Sequence, residues 1–242
     1  MVEHFPHHTQ NDPRLLEAVV KNFPLAMIAV NGEEGKPPVI AYAPVIFKED
    51  SSKYGQIDFH LSRKNAIVPY LEKGAKATIS IVGPNCHISP SWYTARFQGD
   101  HPDRSETAPT YNYVSTTMQG TVAAMDMPLL MGHLTRQVKG REATAGEKQW
   151  GLKEIKPDIL KSWATGILGF SMPIEHLDLT MKISHDQKRE NAPGIVRGLR
   201  QRNSYGDQEM AQIIEQDDGT IDSLIKALNA IGPESKKRAR GH

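Results

Sequence analysis

A series of strand-like segments before residue 185, separated by short connections rich in Gly and Pro, constrains the fold most. Residues of high β propensity predict strands at 24–30, 37–47, 54–62, 75–83 and 110–125, and two more within 167–184, separated near Pro173 and Glu175. Short connections favour antiparallel pairing, because parallel strands need a long crossover. We therefore predict an α+β protein, mainly β, with an antiparallel barrel that carries helices.

Apolar spacing of the helical type occurs between these strands and in the last third of the chain. It predicts helices over 11–23, 63–74, 127–140, 158–166, 192–202, 207–216 and 223–232. We expect one domain over residues 1–216, with the barrel and its helices. Residues 217–242 then form a C-terminal helix and a basic tail.

Charge and cysteine content exclude several classes of protein. The 29 Lys and Arg residues balance 28 Asp and Glu residues, so no global field attracts nucleic acid or a membrane. Cys86 is the single cysteine, which rules out an intrachain disulfide, and no Cys and His spacing resembles a zinc site. Neither a signal peptide nor an apolar run of about 18 residues is present, so we predict a cytoplasmic protein without a membrane segment.

The stretch from His87 to Val114 crowds four Trp and Tyr residues among prolines and short polar side chains. Trp92, Tyr93, Tyr111 and Tyr113 supply flat apolar faces, while Ser89, Ser91 and Asn112 supply hydrogen-bonding groups. Such a set suits a planar heteroaromatic ligand. The alternative is that the aromatic side chains plug one end of the barrel.

Two further stretches carry chemistry. In HLSRKN, residues 60–65, Ser62 and Arg63 lie where a strand is predicted to meet a helix, which suits a phosphate group. The alternative is a solvated, charged helix start. In MKISHD, residues 181–186, a strand ends with Lys182, Ser184 and His185, and this pattern is weak by itself.

Taken in order, these motifs resemble those of the PaiB-type FMN-binding split-barrel family, described as negative transcriptional regulators. The resemblance covers roughly residues 3–215 and is carried by HF (4–5), PLA (24–26), HLSRKN, ISPSWY (88–93), PTYNY (109–113), KIS (182–184) and GIVRGL (194–199). It implies a split β-barrel of the FMN-binding type, with additional helices and a helical C-terminal region. It also implies a homodimer that holds FMN in clefts between its subunits.

Carried over position by position, the resemblance implies eleven FMN-binding residues: Ser62, Arg63, Asn65, Ser89, Ser91, Trp92, Tyr93, Asn112, Lys182, Ser184 and His185. The chain departs from the family at the third motif, where KISHD replaces the usual K-x-S-Q-N. Asp186, when ionised, can only accept hydrogen bonds, unlike an amide. The loop at 94–108 is also long, and we expect it to cover or partly fill the cleft.

Three functions follow as hypotheses. The first is a flavin-linked negative transcriptional regulator. The alternative is an FMN-dependent oxidoreductase acting on an unknown small molecule, for which His60, His87, His101 and His185 are candidate acids by type only. The third is a non-enzymatic module whose C-terminal helices and KKRAR tail (236–240) contact DNA or a protein, although no clear helix-turn-helix pattern supports it. A solvated tail is the plainer interpretation.

Overall fold

The computed structural model describes residues 9–93, 107–145, 148–185 and 189–232. Their strands are β1 (Leu25–Val30), β2 (Val39–Lys48), β3 (Gln56–Ser62), β4 (Lys76–Ile88), β5 (Thr110–Thr121), β6 (Ala123–Ala124), β7 (Ile167–Pro173) and β8 (His176–Lys182). Their helices are α1 (Pro13–Asn22), α2 (Val68–Leu71), α3 (Met127–Glu142), α4 (Pro157–Thr165), α5 (Ala192–Arg202), α6 (Asp207–Gln216) and α7 (Ile221–Ile231). The predicted α+β class is confirmed.

The strands follow the order β6-β7-β3-β2-β1-β4-β5-β8. The pairs β1–β2, β1–β4, β2–β3, β3–β7 and β6–β7 are antiparallel, as the short connections predict. β7 and β8 follow each other in the chain but stand at opposite ends of this order.

The chain divides into two compact units. Of the described residues, the first contains 9–18, 82–93, 107–116, 178–185 and 189–231, and the second contains 19–81, 117–145, 148–177 and 232. β4 and β5 each run from one unit into the other. The domain boundary expected after residue 216 stays a prediction.

The second unit is built on β1, β2, β3 and β7. Side chains alternate along these strands, so one face is buried and forms an apolar core that includes Ile28, Val45, Ile57, Phe59 and Phe170. The Phe59 and Phe170 rings pack with their centroids 5.5 Å apart. α3 contacts β3 and β7. It begins after Asp126, whose Oδ1 accepts a hydrogen bond from the Leu129 amide at 2.9 Å.

The first unit buries the apolar faces of its C-terminal helices. α5 packs on α6, and α6 packs on α7. Their shared core includes Ile195, Leu199, Met210, Ile213 and Leu228, all fully buried. The predicted helical C-terminal region is therefore confirmed over residues 192–231.

α2 and β4 differ in length from the prediction. α2 is a single turn, whereas the sequence predicts a helix over 63–74. Asn65 explains the difference, because its side-chain Oδ1 accepts a hydrogen bond from the Ile67 amide at 3.2 Å and closes a local turn. β4 continues to Ile88, whereas the sequence predicts a strand over 75–83.

Gly120 lies in the second unit, within the strand that the sequence predicts over 110–125. The observed strand ends at Thr121 and the short β6 follows at 123. A Cβ at Gly120 would lie 2.1 Å from the Pro173 carbonyl oxygen, so only glycine permits this approach of two backbones. Among the described residues, no helix is long and apolar enough to cross a membrane.

Candidate functional site

A cluster of polar side chains joins β5 to the end of β8 in the first unit. The Asn112 Nδ2 donates to Ser184 Oγ at 2.8 Å, and the Lys182 Nζ donates to Thr110 Oγ1 at 2.7 Å. The structure thus brings together three of the predicted site residues, Asn112, Lys182 and Ser184. They come from the PTYNY and KIS motifs, which are about 70 residues apart in the chain.

Two fully buried groups on the same face of β5 lack partners among the described residues. Asn112 and Thr116 are four residues apart, so their side chains point to one side of the strand. The Asn112 Oδ1 and the Thr116 Oγ1 make no hydrogen bond within that part of the chain. If the amide is turned over, its nitrogen becomes the unpartnered atom instead. Unsatisfied buried polar atoms are costly, and a bound polar ligand would satisfy them.

Ser184 occupies a strained backbone conformation. Its φ is 67°, in the left-handed region that residues other than Gly and Asn seldom adopt. The hydrogen bond from Asn112 helps to hold Ser184 there. Strain of this kind costs on the order of 1 to 3 kcal/mol and often marks a functional position.

The ISPSWY segment follows β4 as a one-turn 3₁₀ helix, Pro90–Trp92. The Ser89 Oγ accepts a hydrogen bond from the Ser91 amide at 3.2 Å, which fixes the start of this turn. Tyr93 is buried, whereas Trp92 is half-buried and Ser91 is exposed. The two aromatic residues of the motif therefore have different environments.

The Trp92 indole lies against α5 in the first unit. A Cβ at Gly198 would fall 2.2 Å from Trp92 Cδ2, so the ring sits directly on the helix backbone. Arg202, one turn further along α5, places its Cζ 5.0 Å from the centre of the same ring. Sequence reasoning missed both contacts, because more than 100 residues separate these positions from Trp92.

The Arg202 guanidinium is fixed on several sides. It donates two hydrogen bonds to the buried Asp207 carboxylate, at 2.8 Å from Nε and 2.5 Å from Nη2, and one to the His87 carbonyl at 2.8 Å. Burial raises the pKa of Asp207, but the hydrogen bonds from Arg202 and from the Ser204 amide outweigh it and lower that pKa overall. The same pairing raises the pKa of Arg202, so both groups are ionised.

His185 also lies in the first unit, where its Nε2 is 2.9 Å from the Asp217 Oδ2. This ring occupies the position of the family's usual amide and is partly buried against a carboxylate. Asp186, the second departure in the motif, lies outside the described residues. So do positions 94–106 of the long loop, the HF motif and the KKRAR tail.

The three predicted FMN-binding residues of the HLSRKN motif belong to the second unit. Ser62 ends β3, and its Oγ accepts from the Lys64 amide at 3.3 Å. The half-exposed Arg63 donates from Nε to the Thr165 carbonyl at 3.2 Å and approaches Glu72 at 4.0 Å. Asn65 closes the turn described above. α2 begins only at Val68, so the predicted helix start at Arg63 is wrong.

A second polar cluster, which the sequence did not predict, lies between α3 and β3 in the second unit. The His60 Nδ1 and the His133 Nε2 are 3.0 Å apart. Nearby, the buried Asp58 accepts hydrogen bonds from Arg136 Nη2 at 3.0 Å and from Ser171 Oγ at 2.8 Å. Among the described residues, no group of three His, Cys, Asp or Glu side chains is arranged to hold a metal ion.

Comparison with known proteins identifies the class. A family model described as "Putative FMN-binding domain" matches residues 4–176, which is more than half of the chain. The chain belongs to this FMN-binding family, as the motifs predicted, and the family's cofactor is FMN.

Individual relatives support the family and the fold. The chain is similar to "Protease synthase and sporulation protein PAI 2" of Bacillus subtilis (strain 168), with 24% identity over 187 residues, 77% of this chain and 84% of that protein. Its structure is similar to that of the flavocytochrome Anf3 from Azotobacter vinelandii, with a TM-score of 0.51, 13% identity, and coverage of 74% and 72% of the two chains. This likeness concerns the fold alone and agrees with the predicted split barrel.

Proposed function

We propose that the polar cluster on β5 and β8 binds the flavin of FMN. The observation that carries this proposal is the fully buried Asn112, whose amide has one polar atom without a partner among the described residues. An isoalloxazine ring has an imide N–H flanked by two carbonyl oxygens, so it can satisfy an amide in either orientation. The Thr116 Oγ1, on the same face, is a second polar atom without a partner among the described residues, and Lys182 adds a cation.

The remaining predicted FMN-binding residues divide into those proposed to contact the flavin and those proposed to contact the phosphate. Ser89, Ser91, Trp92, Tyr93, Ser184 and His185 belong to the same unit as Asn112, and we propose that they line the flavin contact. Ser62, Arg63 and Asn65 are proposed to bind the phosphate. Arg63 supports this role because its side chain is 52% exposed and keeps a guanidinium fork that suits a phosphate dianion.

We also propose a homodimer formed through one face of the sheet in the second unit. The outward side chains of β1 and β2 at its centre are Leu25, Met27, Ala29, Ile40, Tyr42 and Pro44, which are paired across the strands. Leu25, Ile40 and Tyr42 are 62%, 51% and 66% exposed. These six residues carry no charge at neutral pH, so a second copy of the same face can cover them without repulsion.

We infer a regulatory role for the flavin-bound dimer. Similarity to a Bacillus subtilis protein named for protease synthesis and sporulation supports this role. A bound flavin that a nicotinamide cofactor does not reduce with turnover would agree with regulation, whereas sustained turnover would indicate an oxidoreductase instead. The cytoplasmic location stays a prediction from the sequence.

Flavin titration of the purified full chain tests the proposal. We expect FMN to bind the wild type, and Asn112→Leu to weaken binding about tenfold or more, because a lost hydrogen bond to a buried group costs on the order of 1 to 3 kcal/mol. Gln119→Leu is the matched control, since Gln119 is exposed on the opposite face of β5. Equal affinities of Asn112→Leu and Gln119→Leu would contradict the site, and a wild type that does not bind FMN would refute the function.

A further inference from the structure

Trp92 makes an unusually close contact with a helix that lies beyond the family match. A Cβ on Gly198 would come within 2.2, 2.4 and 2.5 Å of three atoms of the indole, distances that no real side chain tolerates. Glycine is a poor residue for the middle of a helix. Its presence at this point of α5 is explained by the ring that lies on it.

Arg202 adds a second constraint on the same ring. Its guanidinium lies within the range of a cation–π contact and is held in place by Asp207 and by the His87 carbonyl. Because Asp207 is fully buried and begins α6, the helix N-terminus also favours its negative charge. The guanidinium is therefore a fixed support rather than a mobile surface cation.

We propose that Gly198 and Arg202 are positioning residues that fix the Trp92 indole for FMN binding and thereby set the flavin affinity. This inference rests on the proposed function, since it takes Trp92 as a flavin contact. It extends the site to α5, which carries the GIVRGL motif, and to α6, both beyond the residues 4–176 that the family model matches. A preorganised ring loses less conformational freedom when a ligand binds than a freely rotating one.

Replacement of Gly198 by Ala tests, in the absence of flavin, whether the Trp92 indole packs on the α5 backbone at this position. Because the added methyl group collides with Trp92, we expect Gly198→Ala to lower the melting temperature of the full chain. In a Trp92→Ala background the collision is gone, and the same substitution should raise it, since Ala favours helices. Gly140→Ala in α3 is the control, because nothing lies within 4 Å of its added Cβ, and it should raise the melting temperature in both backgrounds.

The fluorescence of Trp92 reports its position directly. With Trp150→Phe and Trp163→Phe, Trp92 is the only tryptophan left. We expect Gly198→Ala to shift its emission to the red and to increase quenching by acrylamide. Arg202→Lys keeps the charge beside Asp207 but loses the planar fork, so we expect a smaller shift in the same direction. If Gly198→Ala leaves the emission unchanged and stabilises the protein as Gly140→Ala does, the packing of Trp92 on Gly198 is refuted.

FMN titration then tests whether the position of the Trp92 indole determines the affinity for FMN. Gly198→Ala should weaken FMN at least tenfold, Arg202→Lys should weaken it less, and Gly140→Ala should leave it unchanged. A displaced indole with unchanged FMN affinity would overturn this inference and leave the proposed function standing. A wild type that does not bind FMN would overturn both.

Discussion

The buried histidine pair predicts how the protein responds to acid. His133 is fully buried, and its Nε2 lies 3.0 Å from the His60 Nδ1. Burial, together with the neighbouring His60, lowers the pKa of His133 from 6.5 to about 4. Burial also lowers the pKa of His60. Both rings are therefore neutral in the folded protein at pH 7, and one donates its ring N–H to the other.

The sign of the pH dependence follows from this lowered pKa. In the unfolded chain His133 binds a proton near pH 6.5, whereas the folded chain resists it down to about pH 4. The contribution of His133 to stability is thus complete above pH 6.5 and is lost as the pH falls from 6.5 to 4. A pKa difference of about 2.5, at about 1.4 kcal/mol for each unit, corresponds to a loss of about 3.5 kcal/mol.

Urea unfolding between pH 7.5 and 4.5 measures this loss. Some carboxylates have a pKa below the usual value, such as Asp207, whose usual value is 3.8. Their contribution to stability is lost mainly below the pH range of this experiment. Over this interval we expect the free energy of unfolding of His133→Gln to fall by about 2 to 3 kcal/mol less than that of the wild type. His60→Gln should reduce the slope partly, because it removes the repulsion, and the exposed His176→Gln is the control. Parallel curves for the wild type and His133→Gln would refute the neutral pair.

Two further predictions test the phosphate contact and the dimer. Arg63→Ala should weaken FMN binding about ten- to hundredfold, because a charge-assisted hydrogen bond contributes about 1.5 to 3 kcal/mol. Riboflavin binding should be unchanged, because only FMN carries the phosphate. Equal losses of affinity in titrations of the two ligands would refute the phosphate contact. Tyr42→Lys should convert the proposed dimer into a monomer of 26.9 kDa in sedimentation, because it would bring like charges together across the proposed interface. Tyr205→Lys is the control, because Tyr205 is 89% exposed in the other unit, and this variant should stay dimeric. A wild type that is a monomer at micromolar concentration would contradict the proposed dimer.

Local chemistry made much of the fold predictable from the sequence. Asp126 is the N-cap of α3 and Pro128 lies in its first turn, and both residue types are typical of these positions. Strand alternation places Ile57 and Phe59 in the core. The length of α2 could not be predicted from apolar spacing, because the Asn65 side chain closes a turn that competes with the helix. The separation of β7 from β8 is also invisible in the sequence, because it depends on long-range pairing with β3.

The candidate site was predictable only in part, for a similar reason. The motifs identify Asn112 and Ser184, but Thr116 is an ordinary strand residue until its buried oxygen is seen to lack a described partner. The His60–His133 pair joins residues 73 positions apart on a strand and a helix. Residue type and spacing describe one segment at a time, whereas these contacts depend on which segments the fold brings together.

The environment of Trp92 bears on the choice between a barrel plug and a ligand contact. A plug requires full burial, whereas Trp92 is half-buried and packs on Gly198. Packing against α5 and contact with a ligand are not alternatives for such a ring, because the helix holds only part of its surface. A ring fixed in this way gives a ligand a rigid wall, while an unsupported tryptophan would lose rotamer freedom on binding. The support of Trp92 by Gly198 and Arg202 is therefore the feature that makes a flavin contact at this position energetically reasonable.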